Sequence, residues 1–412
     1  MSEINKRQLI AGMAVTPLAS SAVSAAAISR KPWDVIVVGA GVFGAWTAEM
    51  LRRAGKKVLL VDAWAPAHAR ASSGGESRLT RGGYGQDAVY TQMASDSLAE
   101  WVRLSRDAGL PLFHQAGVLA FFDKETDYAA GSLATMQELN LPVERIEPEA
   151  LAQRWPQFDW SGVAFGLYEP GFGALMARRG VATLVANFVN RGGVYRQAAI
   201  EPPTNDSPLT SLKTRSGDTL EAEQYVFACG PWLAKLFPEL LGERLFATRQ
   251  EIFFFRPPPG DTRFTASAMP GWIDFQGGDA FYGFPDLEGR GFKIADDKHG
   301  PPADFDANDR APSAEGLAAI RAYMARRFPA MADAPLSETR VCQYENSANG
   351  DFLIDRHPDW SNTALVGMGS GHGFKHGPSV GKLAAQLVTG GGAPNPRFSL
   401  TSKTTRQDRS VH

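Results

Sequence analysis

The stretch Gly39-Ala40-Gly41-Val42-Phe43-Gly44 constrains this chain more than any other. It follows residues 33–38, WDVIVV, a short β-branched apolar run that reads as a buried strand. Behind it, residues 43–54 have helical periodicity and good helix formers, and residues 58–61 read as a second buried strand ending at Asp62. Strand, GxGxxG, helix, strand and acid within about 30 residues form the fingerprint of a Rossmann-type βαβ unit that binds a dinucleotide. Gly39 permits the turn, Gly41 lets the backbone approach a pyrophosphate, and Gly44 lets the helix pack on the strand. The helix N-terminus attracts phosphate, and Asp62 is placed to accept from ribose hydroxyls. A purely structural glycine turn is the competing interpretation, and the flanking strands and acid argue against it.

With 412 residues, the chain is too long for one simple core, so two interleaved domains are expected. A net charge of −2 argues against a nucleic-acid partner, which needs a basic surface. Two cysteines, Cys229 and Cys342, exclude a disulfide framework and a cysteine-rich metal site, and no metal is expected. No run is long and apolar enough to predict a membrane span. Residues 1–30 have signal-peptide organisation: Lys6-Arg7, a weakly apolar run, then small residues near Ala25 and Ala27. The segment resembles a twin-arginine signal with Lys in place of the first Arg, which implies a periplasmic protein. A cytoplasmic domain with an unstructured start is the alternative.

Further along, residues 96–107 and 313–328 read as helices, 117–122 as a strand and 175–190 as an amphipathic helix. Residues 225–230 read as a strand that returns to the nucleotide sheet, with Cys229 as a core residue. Residues 245–295 alternate and are rich in aromatics, which suits an antiparallel sheet. Residues 351–389 read as strand, glycine loop and helix, and the last dozen or so as a loose polar tail. The predicted fold class is therefore α/β, a Rossmann-type domain interleaved with an antiparallel-sheet α+β substrate domain. Residues 33–112, 173–244 and 341–395 make the first, and 113–172 and 245–340 the second. A nucleotide site that closes this late is typical of flavoproteins and points to FAD by analogy of fold.

Four blocks carry a family likeness: Gly39 to Gly44 with Asp62; Gly75 to Arg81; Tyr282-Gly283-Phe284-Pro285 with Gly291-Phe292-Lys293; and Cys342-Gln343-Tyr344 through Gly371-His372-Gly373-Phe374-Lys375. In order and spacing they resemble the monomeric sarcosine oxidase and N-methyltryptophan oxidase family, within the wider D-amino-acid oxidase-like flavoproteins. The likeness runs from Trp33 to about residue 390. It implies an FAD enzyme that oxidises a C–N bond of a secondary amine or N-methyl amino acid, reduces O2 to H2O2 and is a monomer. The cofactor supplies the redox chemistry, and the protein supplies position and charge.

By this resemblance Arg78, after the small-residue loop that begins at Ser72, lies against the flavin. Arg81 and Lys375 hold the substrate carboxylate, a guanidinium fork plus a point charge. Lys293 activates oxygen, since a fixed cation in a dry site stabilises the charge that develops on O2. Tyr282 touches the substrate. Cys342 carries FAD through a thioether, with Arg340 as the nearby positive charge. Gly371, Gly373, Phe374 and Lys375 approach the flavin. Plainer interpretations stand beside each: surface ion pairs for the arginines, a snorkelling strand lysine for Lys293, a core tyrosine for Tyr282. For Cys342 they are an inert core thiol or a Cys229–Cys342 disulfide. His372 and His357 are expected to be structural. The chain departs from the family's sarcosine oxidases at Ser73 and Gly74, where they carry two histidines, and at Asp297, where they carry one. The substrate's identity is therefore open. Three other classes remain: an FAD dehydrogenase that passes electrons to a quinone or protein, a nicotinamide dehydrogenase, and a non-catalytic nucleotide-binding module.

Overall fold

The computed structural model describes residues 32–203, 207–278, 280–298, 300–304, 306, 310–392 and 395–405. The expected signal segment and most of the expected loose tail lie outside these residues.

The opening unit forms as its sequence dictates: β1 (Trp33–Val38), α1 (Val42–Arg53) and β2 (Val58–Asp62), with the two strands parallel. They are central in a six-stranded sheet. Its order is Leu353–Arg356, Thr363–Gly367, Ala222–Phe227, β1, β2, Val194–Gln197. All pairs are parallel except the first, which is antiparallel. Val35, Val37 and Leu60 pack with α1 and the helices Ala88–Ala108, Ala177–Asn190 and Gly377–Thr389. Ile36, Val38, Leu59 and Val61 fill a second core with Tyr225 and Phe227. A parallel sheet buried on both faces needs unbroken apolar strands, and residues 58–61 supply one.

Close packing explains the glycines of the first turn. Gly39 has φ +104°, and a Cβ there would collide with the Ala228 carbonyl; at Gly44 a Cβ would meet the Gly39 carbonyl oxygen. Gly44→Ala is therefore expected to cost about 1–3 kcal/mol or more, because backbone cannot move aside as a side chain can. A melting temperature unchanged by that substitution contradicts this packing.

A second sheet has eight strands, in the order Leu336–Asn346, Phe246–Phe255, Phe292–Asp296, Phe281–Phe284, Gly271–Asp274, Val118–Phe122, Phe165–Glu169, Glu144–Ile146. Its pairs are antiparallel except Gly271–Asp274 with Val118–Phe122. Strand Leu336–Asn346 belongs wholly to this sheet, so the boundary expected at 340/341 falls inside a strand. A three-stranded sheet pairs Ser77–Thr80 with Gly173–Met176 and fixes the segment that carries Arg78 and Arg81. Leu175 and Met176 are thus strand, and the helix expected from 175 begins at Ala177. No helix among the described residues is long and apolar enough to cross a membrane.

Candidate cofactor and substrate site

A cavity of about 500 Å³ opens at the carboxyl ends of β1 and β2. Gly39, Gly41, Val42, Asp62, Ser72, Ser73, Cys229 and Glu345 line it. Gly41 caps α1 without any side-chain hydrogen bond, so the first amides of that helix face the cavity without a side-chain acceptor. Asp62 accepts from the amides of Ala40 (2.8 Å, Oδ2) and Trp64 (2.9 Å, Oδ1), which orients its carboxylate in the cavity wall. The rings of Trp64 and Trp232 stand 4.6 Å apart on the cavity wall, a feature that Trp64 and Trp232 as isolated letters did not reveal.

Three buried polar atoms of this wall lack a hydrogen-bond partner among the described residues: His68 Nδ1, Ser72 Oγ and Glu345 Oε2. A long polyhydroxylated diphosphate satisfies such groups, and an apolar occupant does not. The residues present thus fit a dinucleotide of the FAD type, with the amides of α1 at the phosphates and Asp62 at the ribose.

A second, smaller cavity of about 70 Å³ is lined by Arg78, Arg81, Tyr282, Asp297, Tyr344, Gly371, His372, Phe374 and Lys375, among others. Between the two cavities lies a compact cluster. Arg78 donates through Nη2 to the Ser72 carbonyl (2.7 Å) and to Cys342 Sγ (3.4 Å), and the thiol donates to the same carbonyl (3.3 Å). Successive residues of a strand face opposite ways. Tyr344 accordingly faces the small cavity and Glu345 the large one, so one strand separates the two volumes. Cys342 and Lys293 line neither cavity and sit in the wall region.

The geometry changes the account of several residues. Arg340 is engaged by Glu76 (3.1 Å) and Glu338 (2.5 Å); the guanidinium that donates to Cys342 Sγ is that of Arg78. Both cysteines are free, so no Cys229–Cys342 disulfide is present. Cys229 is half-buried: its strand ends at Phe227, and it packs against the second core while also lining the cavity. Lys293 is only 1% exposed and does not snorkel. It donates to the Ser77 carbonyl (2.8 Å), adjacent to Arg78. Burial, reinforced by Arg78, pushes its pKa well below the ordinary lysine range.

Arg81 is buried and not a surface ion-pair residue. Its guanidinium lies 4.4 Å from the Tyr84 ring centroid and donates to Tyr128 Oη (3.0 Å) and the Gly83 carbonyl. Lys375 is buried and donates to Tyr84 Oη (2.7 Å) and the His372 carbonyl (3.1 Å). Burial, then the charge of Arg81, depresses its pKa well below normal. Tyr84, which no sequence motif marks, thus touches both cations. Tyr344 donates to Asp297 (2.7 Å), and burial followed by that carboxylate raises its pKa well above normal. Tyr282 is pushed up to about 12, chiefly by burial and then by Asp297. Gly373 packs against Phe43 of α1, which ties the late glycine loop to the opening helix. His372 is held by Tyr84 and the Gly350 carbonyl, and His357 accepts from the amides of Asp359 and Trp360. Among the described residues, no group of three or more His, Cys, Asp or Glu side chains is placed to hold a metal ion.

Comparison with known proteins agrees with this arrangement. Residues 34–387 match the family described as FAD dependent oxidoreductase. The chain is 29% identical over 365 residues to monomeric sarcosine oxidase of Bacillus sp. (strain B-0618), covering 87% of this chain and 93% of that protein. It is 30% identical over 378 residues to N-methyl-L-tryptophan oxidase of Salmonella newport (strain SL254), covering 90% and 97%. Among solved structures, L-proline dehydrogenase from P. horikoshii superposes with a TM-score of 0.79 at 18% identity, covering 90% of this chain and 97% of that one.

Proposed function

Because the chain belongs to the FAD dependent oxidoreductase family, and is of the sarcosine oxidase and N-methyltryptophan oxidase type, we propose that it is an oxidase of a secondary amine or N-methyl amino acid. The chemistry FAD supplies when bound is acceptance of hydride from the carbon beside the amine nitrogen, with two electrons passed on to O2 as H2O2. The substrate is left as an imine, which water hydrolyses.

One observation carries the proposal. Two buried basic side chains, Arg81 and Lys375, share Tyr84 at a small cavity next to the large one. A substrate carboxylate bound between them restores the charged form of Lys375 and is held by charge-assisted hydrogen bonds. Arg78 stands at the junction of the two cavities, where it orients Ser72 and Cys342. Cys342 is the proposed point of covalent attachment of FAD. Lys293, beside Arg78 and screened from solvent, is the group proposed to meet dioxygen. Tyr282 and the Tyr344–Asp297 pair form the remaining polar wall, and Asp297 adds a carboxylate that favours substrates with a positive nitrogen.

The test is a screen of secondary amines and N-methyl amino acids against the purified yellow protein. A substrate should bleach the flavin without air and yield peroxide in air. Bleaching with no peroxide in air, relieved by a quinone, transfers the protein to the dehydrogenases. No bleaching by any amine removes the proposal.

A further inference from the structure

We propose that Glu345 is a cofactor-binding acid: its carboxyl group, in the neutral form, donates a hydrogen bond from Oε2 to an oxygen of the diphosphate–ribityl stretch of FAD. The proposal rests on the FAD assignment above and goes beyond it, because no part of the nucleotide fingerprint contains this residue.

Three observations support it. Glu345 lies on the strand Leu336–Asn346, is 8% exposed, and faces the large cavity that Gly39, Gly41 and Asp62 also line. Its Oε1 accepts from the Gly369 amide (3.4 Å), whereas Oε2 has no partner among the described residues. The facing chain is glycine on both sides: a Cβ at Gly230 would approach Oε2 to 2.7 Å, and one at Gly369 would approach Oε1 to 3.3 Å. The carboxyl is therefore admitted closely but left half-satisfied, with its unpaired oxygen at the cavity.

Its surroundings decide its charge. The facing elements are the turn after Ala222–Phe227, with the Cys229 thiol; the first turn of α1, with Val42 and Phe43; and the loop after Thr363–Gly367, with the Gly369 amide. Burial, then Asp62 farther round the cavity, and least of all Glu345, raise the Cys229 pKa, so the thiol stays neutral. Among the described residues, Arg70, Arg215 and Lys235 line the same cavity, but none of them contributes to the shift of Glu345. Burial, opposed only by the Gly369 amide, pushes it up to about 7. A carboxylate facing phosphates is repelled by them; a neutral acid supplies a donor that their oxygens accept. The sign follows: affinity for FAD is full below about pH 7 and falls as pH rises through that value, because the ionised form must take up a proton to bind.

The experiment uses Cys342→Ser as parent, so that FAD exchanges freely, and reads the FAD dissociation constant by fluorescence quenching at about pH 6 and about pH 9. In the parent, affinity should fall at least about tenfold over that interval. With Glu345→Gln added, an amide that donates at any pH, affinity should stay within about threefold of the parent's value at about pH 6 and be flat with pH. With Glu345→Ala it should be at least about threefold weaker at about pH 6. A Gln variant that follows the parent's decline, or a parent that is flat, overturns the proposal, as does an Ala variant as tight as the parent at low pH. Failure of the FAD assignment itself gives a different result: neither the wild-type protein nor the parent carries or binds flavin at any pH.

Discussion

Lys293→Met is expected to slow reoxidation of the reduced enzyme by O2 by about 100- to 1,000-fold, the usual size of losing one fixed electrostatic partner for developing charge. Anaerobic reduction by substrate should change by no more than a few-fold, since Arg81 and Lys375, the groups proposed to hold the substrate carboxylate, are untouched. Two features make the effect large. The amino group is almost wholly buried and already held by the Ser77 carbonyl, so little reorganisation is needed when charge appears nearby. Its depressed pKa also means that new negative charge next to it draws a proton onto it. Methionine keeps the length of the side chain and removes the proton. Stopped-flow mixing of reduced enzyme with oxygenated buffer separates the two half-reactions. Peroxide production at the wild-type rate would remove Lys293 from the oxygen step.

Lys375→Met should lower kcat/KM for an acidic substrate by the cost of removing one partner from a buried charged contact, about 2–5 kcal/mol, or roughly 30-fold to several thousand-fold. Uncharged amines should lose far less. The pH dependence carries the same information. Lys375 is driven towards neutrality in the free protein by burial and by Arg81, and substrate carboxylate favours its charged form. Substrate binding should therefore take up a proton, and the apparent KM should rise with pH above the depressed lysine pKa. That rise should vanish in the variant. Equal losses for acidic and uncharged amines would mean that Lys375 is structural.

Much of the nucleotide fold is legible because its signals are local. Gly39, Gly44 and Asp62 each answer a backbone or ligand constraint within one βαβ unit, and the alternation of residues 245–295 suits the antiparallel strands found there. Long-range anchors are less legible. The helix expected over 96–107 begins at Ala88, where Asp87 caps it and accepts from the Tyr90 amide, and Tyr90 Oη reaches Asp351. Val89, Tyr90 and Thr91 are weak helix formers, so tertiary contact and not propensity sets that start. Leu175 and Met176 look helical but pair with Ser77 and Arg78 across nearly a hundred residues of chain. The site follows the same rule. Arg78, Arg81 and Lys375 sit in recognisable blocks, whereas the contact of Tyr84 with Lys375 and the place of Glu345 at the large cavity arise only when segments distant in sequence come together. Single tyrosines and glutamates carry no spacing that announces this.

The central claim is that FAD occupies the large cavity and is anchored at Cys342, in the wall that divides it from the substrate cavity. Acid precipitation of the purified protein, with spectra of pellet and supernatant, tests it most directly. The account predicts a flavin spectrum in the washed pellet, which moves to the supernatant in Cys342→Ser. Flavin that leaves the wild-type pellet would contradict anchoring at Cys342, and the absence of flavin from both fractions would contradict the account as a whole.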